Sequence, residues 1–102
     1  MTPTLRTHDS AATELAAAVA WYEEQQPGLG ADFLDGIGRT IEQVRHYPRI
    51  GPSASADERT RRLRVARFPY DVVYRVTPDE IVIVAVAHLK RRPGYWKNRV
   101  TP

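Results

Sequence analysis

Apolar residues recur at helical spacing along the first half of the chain. Leu15, Val19 and Tyr22 follow one another at intervals of four and three, and the alanines between them favour helix. Tyr22 belongs to this apolar stripe, and Trp21 flanks it. Because Pro27 cannot continue a helix, the pattern predicts a first helix that ends near Gln26.

Capping residues stand at the start of this helix. Asp9 or Ser10 can accept hydrogen bonds from the first free backbone N–H groups, so we expect the helix to begin at Ala11. Glu14 is placed to answer Ser10 across the first turn. The residues ahead of the cap, Thr4–Thr7, are β-prone and predict a short edge strand.

A second amphipathic helix is predicted from about Ala31 to Tyr47, where Pro48 ends it. Its apolar stripe comprises Phe33, Ile37, Ile41 and Val44, widened by Leu34. The short segment Pro27–Gly30 between the two patterns predicts the turn of a helical hairpin rather than a domain linker. The small and polar segment Arg49–Asp57 that follows predicts a mobile loop.

From Arg59 onward the apolar period changes to two. Leu63 and Val65 point to one side of a strand, and Arg62 and Arg64 point to the other side. This alternation predicts a half-buried strand with a cationic outer face.

Two further strands follow and complete the predicted fold. Tyr70–Val76 is predicted as the next strand, Thr77–Glu80 as a hairpin turn, and Ile81–His88, apolar on both faces, as a central strand. The elements indicate an α+β fold of two layers, in which an N-terminal helical hairpin packs on one face of a small antiparallel sheet. We expect the other face to be open and basic, and residues 1–102 to form one domain.

Charge is divided unevenly between the two halves. Residues 1–57 carry four Lys or Arg against eight Asp or Glu, a net charge of −4, whereas residues 58–102 carry eleven against four, a net charge of +7. A cationic sheet half suits a phosphate backbone or an acidic protein as partner.

Composition excludes several classes of site. The chain has no Cys, which rules out disulfides and thiolate chemistry and fits a reducing compartment. The three His residues lack ligand spacing and no glycine-rich loop follows a strand, so we expect neither a metal nor another cofactor. The longest apolar run, Ile81–Ala87, is too short to span a bilayer, and the N-terminus lacks the apolar core of a signal peptide. We therefore expect a cytoplasmic protein without membrane contact.

The first candidate for function is a run of arginines. Its members are Arg59, Arg61, Arg62, Arg64 and Arg67. Guanidinium groups bind phosphate and carboxylate in bidentate fashion, which indicates an anionic partner. The alternative is a solvated strand edge whose charge prevents aggregation.

The second candidate is a basic and aromatic cluster near the C-terminus. It contains His88, Lys90, Arg91, Arg92, Tyr95, Trp96, Lys97 and Arg99. Cations suit phosphates, aromatic rings suit bases, and His88 or Tyr95 can move protons, so with Arg62 and Arg64 the cluster has the groups for metal-free RNA cleavage. The alternative is that Tyr95 and Trp96 fold back as an apolar plug and that His88 merely ends a strand.

Three stretches along the chain form a family pattern. They are Trp21–Glu23 with Pro27–Gly30 and Phe33-Leu34, then Arg67–Tyr70 with Val72–Val76, and then Val86–His88 with Arg91–Trp96. In order and spacing they resemble the ParE/RelE family of toxins from type II toxin–antitoxin modules, which includes plasmid stabilisation proteins. The resemblance implies a growth inhibitor that is neutralised by an antitoxin encoded beside it, within a toxin–antitoxin hetero-oligomer.

The resemblance implies two possible targets. RelE-like members cut mRNA on the ribosome without a metal, and ParE-like members bind and inhibit DNA gyrase. On the RelE-like pattern the candidate catalytic residues are Arg62, Arg64, Arg91, and His88 or Tyr95. Asp71, however, stands where those nucleases have an Arg, and its charge would repel a scissile phosphate. We therefore expect gyrase inhibition by contact, with mRNA cleavage as the alternative and a non-toxic binding module as a third reading.

Target and antitoxin are both expected to contact the basic face and the tail. The residues predicted for this contact are Arg61, Arg62, Arg64, Arg67, Lys90, Arg92 and Trp96. On the family's pattern, acidic antitoxin side chains meet the arginine run, and exposed apolar surface adds to the interface.

Overall fold

The computed structural model of the chain describes residues 3–100. Its elements are β1 (Thr4–Thr7), α1 (Asp9–Gln25), α2 (Leu29–His46), β2 (Thr60–Arg64), β3 (Tyr70–Val76), β4 (Glu80–His88) and a 3₁₀ helix (Lys97–Arg99). All predicted elements are present, and the predicted bounds of β3 match those of the structure.

The two helices form the predicted hairpin, with different caps. His8, not Asp9 or Ser10, caps α1, because its Nδ1 accepts a hydrogen bond from the Ser10 N–H at 3.0 Å. The helix therefore begins at Asp9, two residues earlier than predicted. At the turn, Gly28 has a φ of 92°, a conformation that favours glycine. The Glu23 carboxylate accepts hydrogen bonds from the N–H groups of Gly28 and Gly30 at the start of α2.

The strands form one mixed sheet in the order β1-β4-β3-β2. Strands β2, β3 and β4 form the predicted antiparallel meander, but β1 runs parallel to β4. The sheet is thus not purely antiparallel, since β1 enters it beside the last strand and no hairpin turn sets its direction. The predicted α+β architecture, with both helices on one face of the sheet, is confirmed.

A β-bulge interrupts β4. Val73 pairs with Ala85 and Tyr74 pairs with Ile83, which leaves Val84 as the extra residue. Val84 and Ala85 both belong to a core on the sheet face away from the helices, and alternation resumes with Val86 on the helix side. The bulge leaves the Val84 carbonyl outside the pairing register.

A main core fills the space between the helices and the sheet. Its largest fully buried side chains are Tyr74, Phe33, Ile37, Ile81, Ile83 and Val44. The predicted stripe of α2 faces this core, with Ile41 partly buried, but Leu34 is 48% exposed and does not widen the stripe. Tyr22 is buried in the core and Trp21 lies outside it, as predicted.

A second, smaller core lies on the opposite face of the sheet. Trp96 is only 7% exposed and packs in a cluster with Val73, Val82 and Ala85, and Tyr95 and Val100 pack against the same cluster. The prediction that this face is open is therefore wrong. The tail folds back as an apolar plug because β4 is apolar on both faces and leaves area to be buried.

The segment predicted as a mobile loop is hydrogen-bonded to the sheet. The Tyr74 hydroxyl donates to the Pro48 carbonyl at 2.8 Å and accepts from the Gly51 N–H at 3.1 Å. Arg61 donates to the Gly51 carbonyl at 2.8 Å. Within residues 3–100, no helix is long and apolar enough to cross a membrane.

Candidate binding cleft

A cleft of about 380 Å³ lies between the C-terminal tail and the second face of the sheet. Its charged and aromatic lining residues are Arg62, Asp71, His88, Arg91, Arg92, Tyr95, Trp96 and Lys97. Strand β2 supplies Arg62, strand β4 ends in His88, and the turns that follow β4 supply Arg91 and Arg92. We refer to this region as the basic cleft, since four of these side chains are cationic and one is acidic.

The cleft brings together six of the ten predicted site residues. They are Arg62, His88, Arg91, Arg92, Tyr95 and Trp96. It leaves out the other four, which are Arg61, Arg64, Arg67 and Lys90. The period-two alternation of β2 correctly predicted that Arg62 faces away from the helices.

Arg64 is engaged by the one acidic residue of the cleft. Its Nε donates to the Asp71 carboxylate at 2.8 Å, because Arg64 and Asp71 are directly paired across β2 and β3. Asp71 is buried, with only 7% of the residue exposed. The ion pair neutralises Asp71, and it holds the Nε edge of the Arg64 guanidinium beside the cleft.

His88, which lines the cleft, is held by two contacts. Its Nδ1 accepts a hydrogen bond from the Lys90 N–H at 3.0 Å, so a neutral ring carries its proton on Nε2. The ring also meets the Tyr70 ring edge to face, with the centroids 5.0 Å apart. The ring therefore has a fixed orientation, as a strand-ending structural histidine has.

Tyr95 is bonded away from the cleft. Its hydroxyl donates to the Glu14 carboxylate at 2.7 Å, and the Arg91 guanidinium lies 3.9 Å from the centre of its ring. Burial, with the hydrogen bond to Glu14 as the second cause, raises the pKa of Tyr95 to about 12. A phenol with that pKa keeps its proton near neutral pH and is a weak proton donor.

Glu14 forms the center of a polar clasp that the sequence did not predict. Its carboxylate accepts hydrogen bonds from the Val86 N–H at 3.1 Å, from Tyr95, and from both Nη atoms of Arg99 at 2.9 and 3.0 Å. Arg99 also donates to the Val84 carbonyl at 3.0 Å. The two side chains thus satisfy backbone groups of β4 beyond the end of β1.

The clasp changes the ionisation of Glu14. Desolvation by burial raises the pKa of its carboxyl, but the hydrogen bonds from Arg99, Tyr95 and Val86 together outweigh burial, and the pKa lies below its ordinary value. The prediction that Glu14 answers Ser10 is wrong. One sequence signal was present: Glu14 shares a helical stripe with the buried Ala11 and Ala18, where a carboxylate requires a partner.

The remaining predicted contact residues differ in availability. Trp96 is buried in the second core, so its ring does not offer a surface for stacking in this conformation. Arg61 binds the Arg49–Gly51 loop. Arg67, with a φ of 73°, and Lys90 are exposed in turns outside the cleft. Within the described part of the chain, no group of three His, Cys, Asp or Glu side chains is placed to hold a metal ion.

Comparisons with known proteins agree on one family. A solved structure described as the chromosomal ParDE TA system from P. aeruginosa superposes with a TM-score of 0.72, at 21% identity over 85% of this chain and 96% of that chain. At this identity the likeness shows the shared fold, and a search of curated proteins found no match. Residues 5–93 match the family described as the ParE toxin of type II toxin–antitoxin system, parDE. Because the match covers most of the chain, this protein belongs to the ParE family of type II toxins, whose partner is an antitoxin.

Proposed function

We propose that this chain inhibits growth by binding and blocking DNA gyrase, and that a cognate antitoxin relieves the inhibition. Family membership supplies the toxin role and the antitoxin partner. The observation that favours contact over catalysis is that two of the groups which RNA cleavage would require, Arg64 and Tyr95, are held in structural hydrogen bonds.

Both groups support the proposal in the same way. The Arg64 guanidinium is paired through its Nε with Asp71, whose carboxylate also lines the cleft. The Tyr95 hydroxyl donates to Glu14 and has a pKa of about 12. Releasing either group would break a partly buried charge-assisted hydrogen bond, so neither is prepared to act on a substrate.

The proposed contact surface is the basic cleft together with two exposed cations outside it. Arg62, Arg91 and Arg92 line the cleft, and the two outer cations are Arg67 and Lys90. A cationic concave surface attracts an acidic protein partner and speeds association, because the guanidinium groups pair with carboxylates.

Charge reversal in the cleft is expected to weaken gyrase inhibition. Arg62→Glu and Arg92→Glu should each raise the toxin concentration for half-inhibition of supercoiling by at least about tenfold, since a like charge replaces an attractive one. Arg39→Glu, an exposed change on α2 outside the cleft, is the matched control and should leave inhibition unchanged. Supercoiling that is untouched by a large excess of the unmodified chain would end the gyrase proposal.

The alternative function is mRNA cleavage on the ribosome, and one observation favours it. The cleft collects Arg62, His88 and Arg91, which can hold a phosphate and move a proton. This alternative predicts cuts in mRNA at ribosome positions after induction, and it predicts that Arg64→Ala, Arg91→Ala or His88→Ala abolishes them. Intact mRNA during growth arrest would exclude it, and induction without any growth defect would favour the non-toxic reading.

A further inference from the structure

A second groove lies between α1 and the end of β4, and it shares His88 and Arg91 with the basic cleft. Its apolar and aromatic lining includes Ala17, Trp21, Pro69, Tyr70, Val86 and His88. Trp21 is 55% exposed and meets Tyr22 edge to face, so most of its indole surface contacts solvent. An exposed Trp beside other apolar groups is typical of an interaction site.

The floor of the groove includes a stretch of unpaired β-sheet edge. Strand β1 pairs with β4 only up to Ile83, and the His8 N–H donates to the Ile83 carbonyl. Beyond it, Arg99 binds the Val84 carbonyl and Glu14 binds the Val86 N–H. The next outward groups are the Val86 carbonyl and the His88 N–H, and neither has a hydrogen-bond partner within residues 3–100.

The direction of these groups follows from the pairing of β4 with β3. The Leu89 N–H donates to the Pro69 carbonyl, and Ala87 pairs with Asp71, so these residues turn their backbone groups toward β3. Val86 and His88 turn theirs the opposite way, as the bond from Val86 to Glu14 confirms. A carbonyl at one residue and an N–H two residues later form the acceptor and donor that one residue of a parallel strand requires.

We propose that an extended segment of the cognate antitoxin adds to this edge parallel to β4, bridges the Val86 carbonyl and the His88 N–H, and packs against Trp21. The bridging residue would lie level with Ala87 and share its face of the sheet. The residues on either side of it would point to the helix face, where Ala17 and Ala18 leave room beside Trp21. These neighbouring residues of the antitoxin are therefore expected to be apolar.

The charge of the groove predicts one further feature of the antitoxin segment. Glu14 is already paired with Arg99, whereas Arg91 is exposed and has no carboxylate partner in the described part of the chain. Since Arg91 follows β4 in sequence, an Asp or Glu placed after the bridging residue of a parallel segment can reach it. An apolar segment followed by an acidic residue thus complements the groove in shape and in charge.

The location also gives a route to neutralisation. His88 and Arg91 line both this groove and the basic cleft. An antitoxin carboxylate on Arg91 would withdraw that cation from the target surface. The docking proposal rests on the groove and on family membership, and only this consequence rests on the proposed function of the cleft.

The test uses the two tryptophans as a probe and its internal control. The chain is labelled with 5-fluorotryptophan, the two ¹⁹F resonances are assigned with Trp96→Phe, and the purified cognate antitoxin is added to saturation. We expect the Trp21 resonance to shift and the buried Trp96 resonance to stay in place. Amide exchange at His88 should slow in the same complex, because its N–H becomes hydrogen-bonded.

Affinity measurements complete the test. Trp21→Ala and Arg91→Glu should each weaken antitoxin binding by at least about tenfold, whereas Leu34→Ala, at a 48% exposed leucine of α2, should not. A formed complex in which neither the Trp21 resonance nor His88 exchange changes would overturn the proposal. A Trp21 shift that depends on the concentration of the chain alone would overturn it in favour of self-association. Neither result depends on whether gyrase is the target.

Discussion

The glycines of α2 differ in what a side chain would meet. A Cβ at Gly30 would lie 2.7 Å from the Val19 carbonyl oxygen of α1, so this glycine permits the close approach of the two helices. A Cβ at Gly38 would have no neighbour within 4 Å, and the residue is exposed. Nothing in the structure explains a helix-destabilising glycine at this position.

Replacing these two glycines should therefore have opposite effects on stability. Gly38→Ala is expected to raise the free energy of unfolding by about 0.5–1 kcal/mol and Tm by about 4 °C, because alanine restricts the unfolded chain and favours helix. Gly30→Ala should lower stability, since its methyl group meets a backbone atom. Urea unfolding of both variants checks this prediction, which a less stable Gly38→Ala protein would contradict.

Residue by residue, local patterns predicted orientation better than they predicted contacts. The alternation in β2 correctly gave the outward direction of Arg62, and the apolar run of β4 correctly gave a central strand. The Glu14 clasp was missed because its partners Val86 and Arg99 lie 72 and 85 residues away along the chain. From the sequence alone, the nearest candidate partner of Glu14 was the capping residue Ser10, four residues away.

At the scale of elements, the periodicities predicted both helices and the meander. They could not give the direction of β1, since its pairing with β4 joins opposite ends of the chain. They also left open whether the tail is a surface or a plug, because basic and apolar residues alternate in it. In the structure the tail is both: Trp96 packs inward as the plug, and Arg92 lines the cleft as part of the surface.

The two tryptophans offer a matched comparison of burial. Trp96→Ala should lower the free energy of unfolding by about 3 kcal/mol, because it leaves a cavity against Val73 and Ala85. Trp21→Ala removes a ring that is 55% exposed and should change stability by no more than about 0.5 kcal/mol. Thermal unfolding of both variants makes the comparison, and equal losses would show that the tail does not pack on the sheet.

At the scale of the whole molecule, one carboxylate joins all the layers. Glu14 projects from α1, binds β4 through the Val86 N–H, and holds Tyr95 and Arg99 of the tail that covers the opposite face. Helix, sheet and tail are thus connected around one edge of the sheet. The wall of the basic cleft that Tyr95 forms depends on this connection.

This clasp predicts a particular dependence of stability on pH. Because the folded-state pKa of Glu14 lies below its ordinary value of 4.5, the charged carboxylate stabilises the fold above that value, and the contribution is lost as pH falls through the folded pKa. Glu14→Gln should cost about 1–3 kcal/mol at pH 7 and should show a weaker loss of stability between pH 5 and pH 3.

The matched control for this variant is Glu24→Gln. Glu24 lies exposed on the same helix, and its replacement should leave both the stability at pH 7 and the acid limb unchanged. Denaturant unfolding at a series of pH values measures all three proteins. Parallel acid limbs for the unmodified chain and Glu14→Gln would show that Glu14 is not the group responsible.

The β-bulge bears on how this sequence can vary among relatives. Since Val84 and Ala85 lie on the same face, loss of one residue there would leave every later side chain of β4 on its present side. It would, however, remove the carbonyl to which Arg99 donates. A natural relative that lacks this residue of β4 is therefore expected to lack an arginine at the position of Arg99 as well. The length of β4 and the identity of this tail residue should then vary together among relatives.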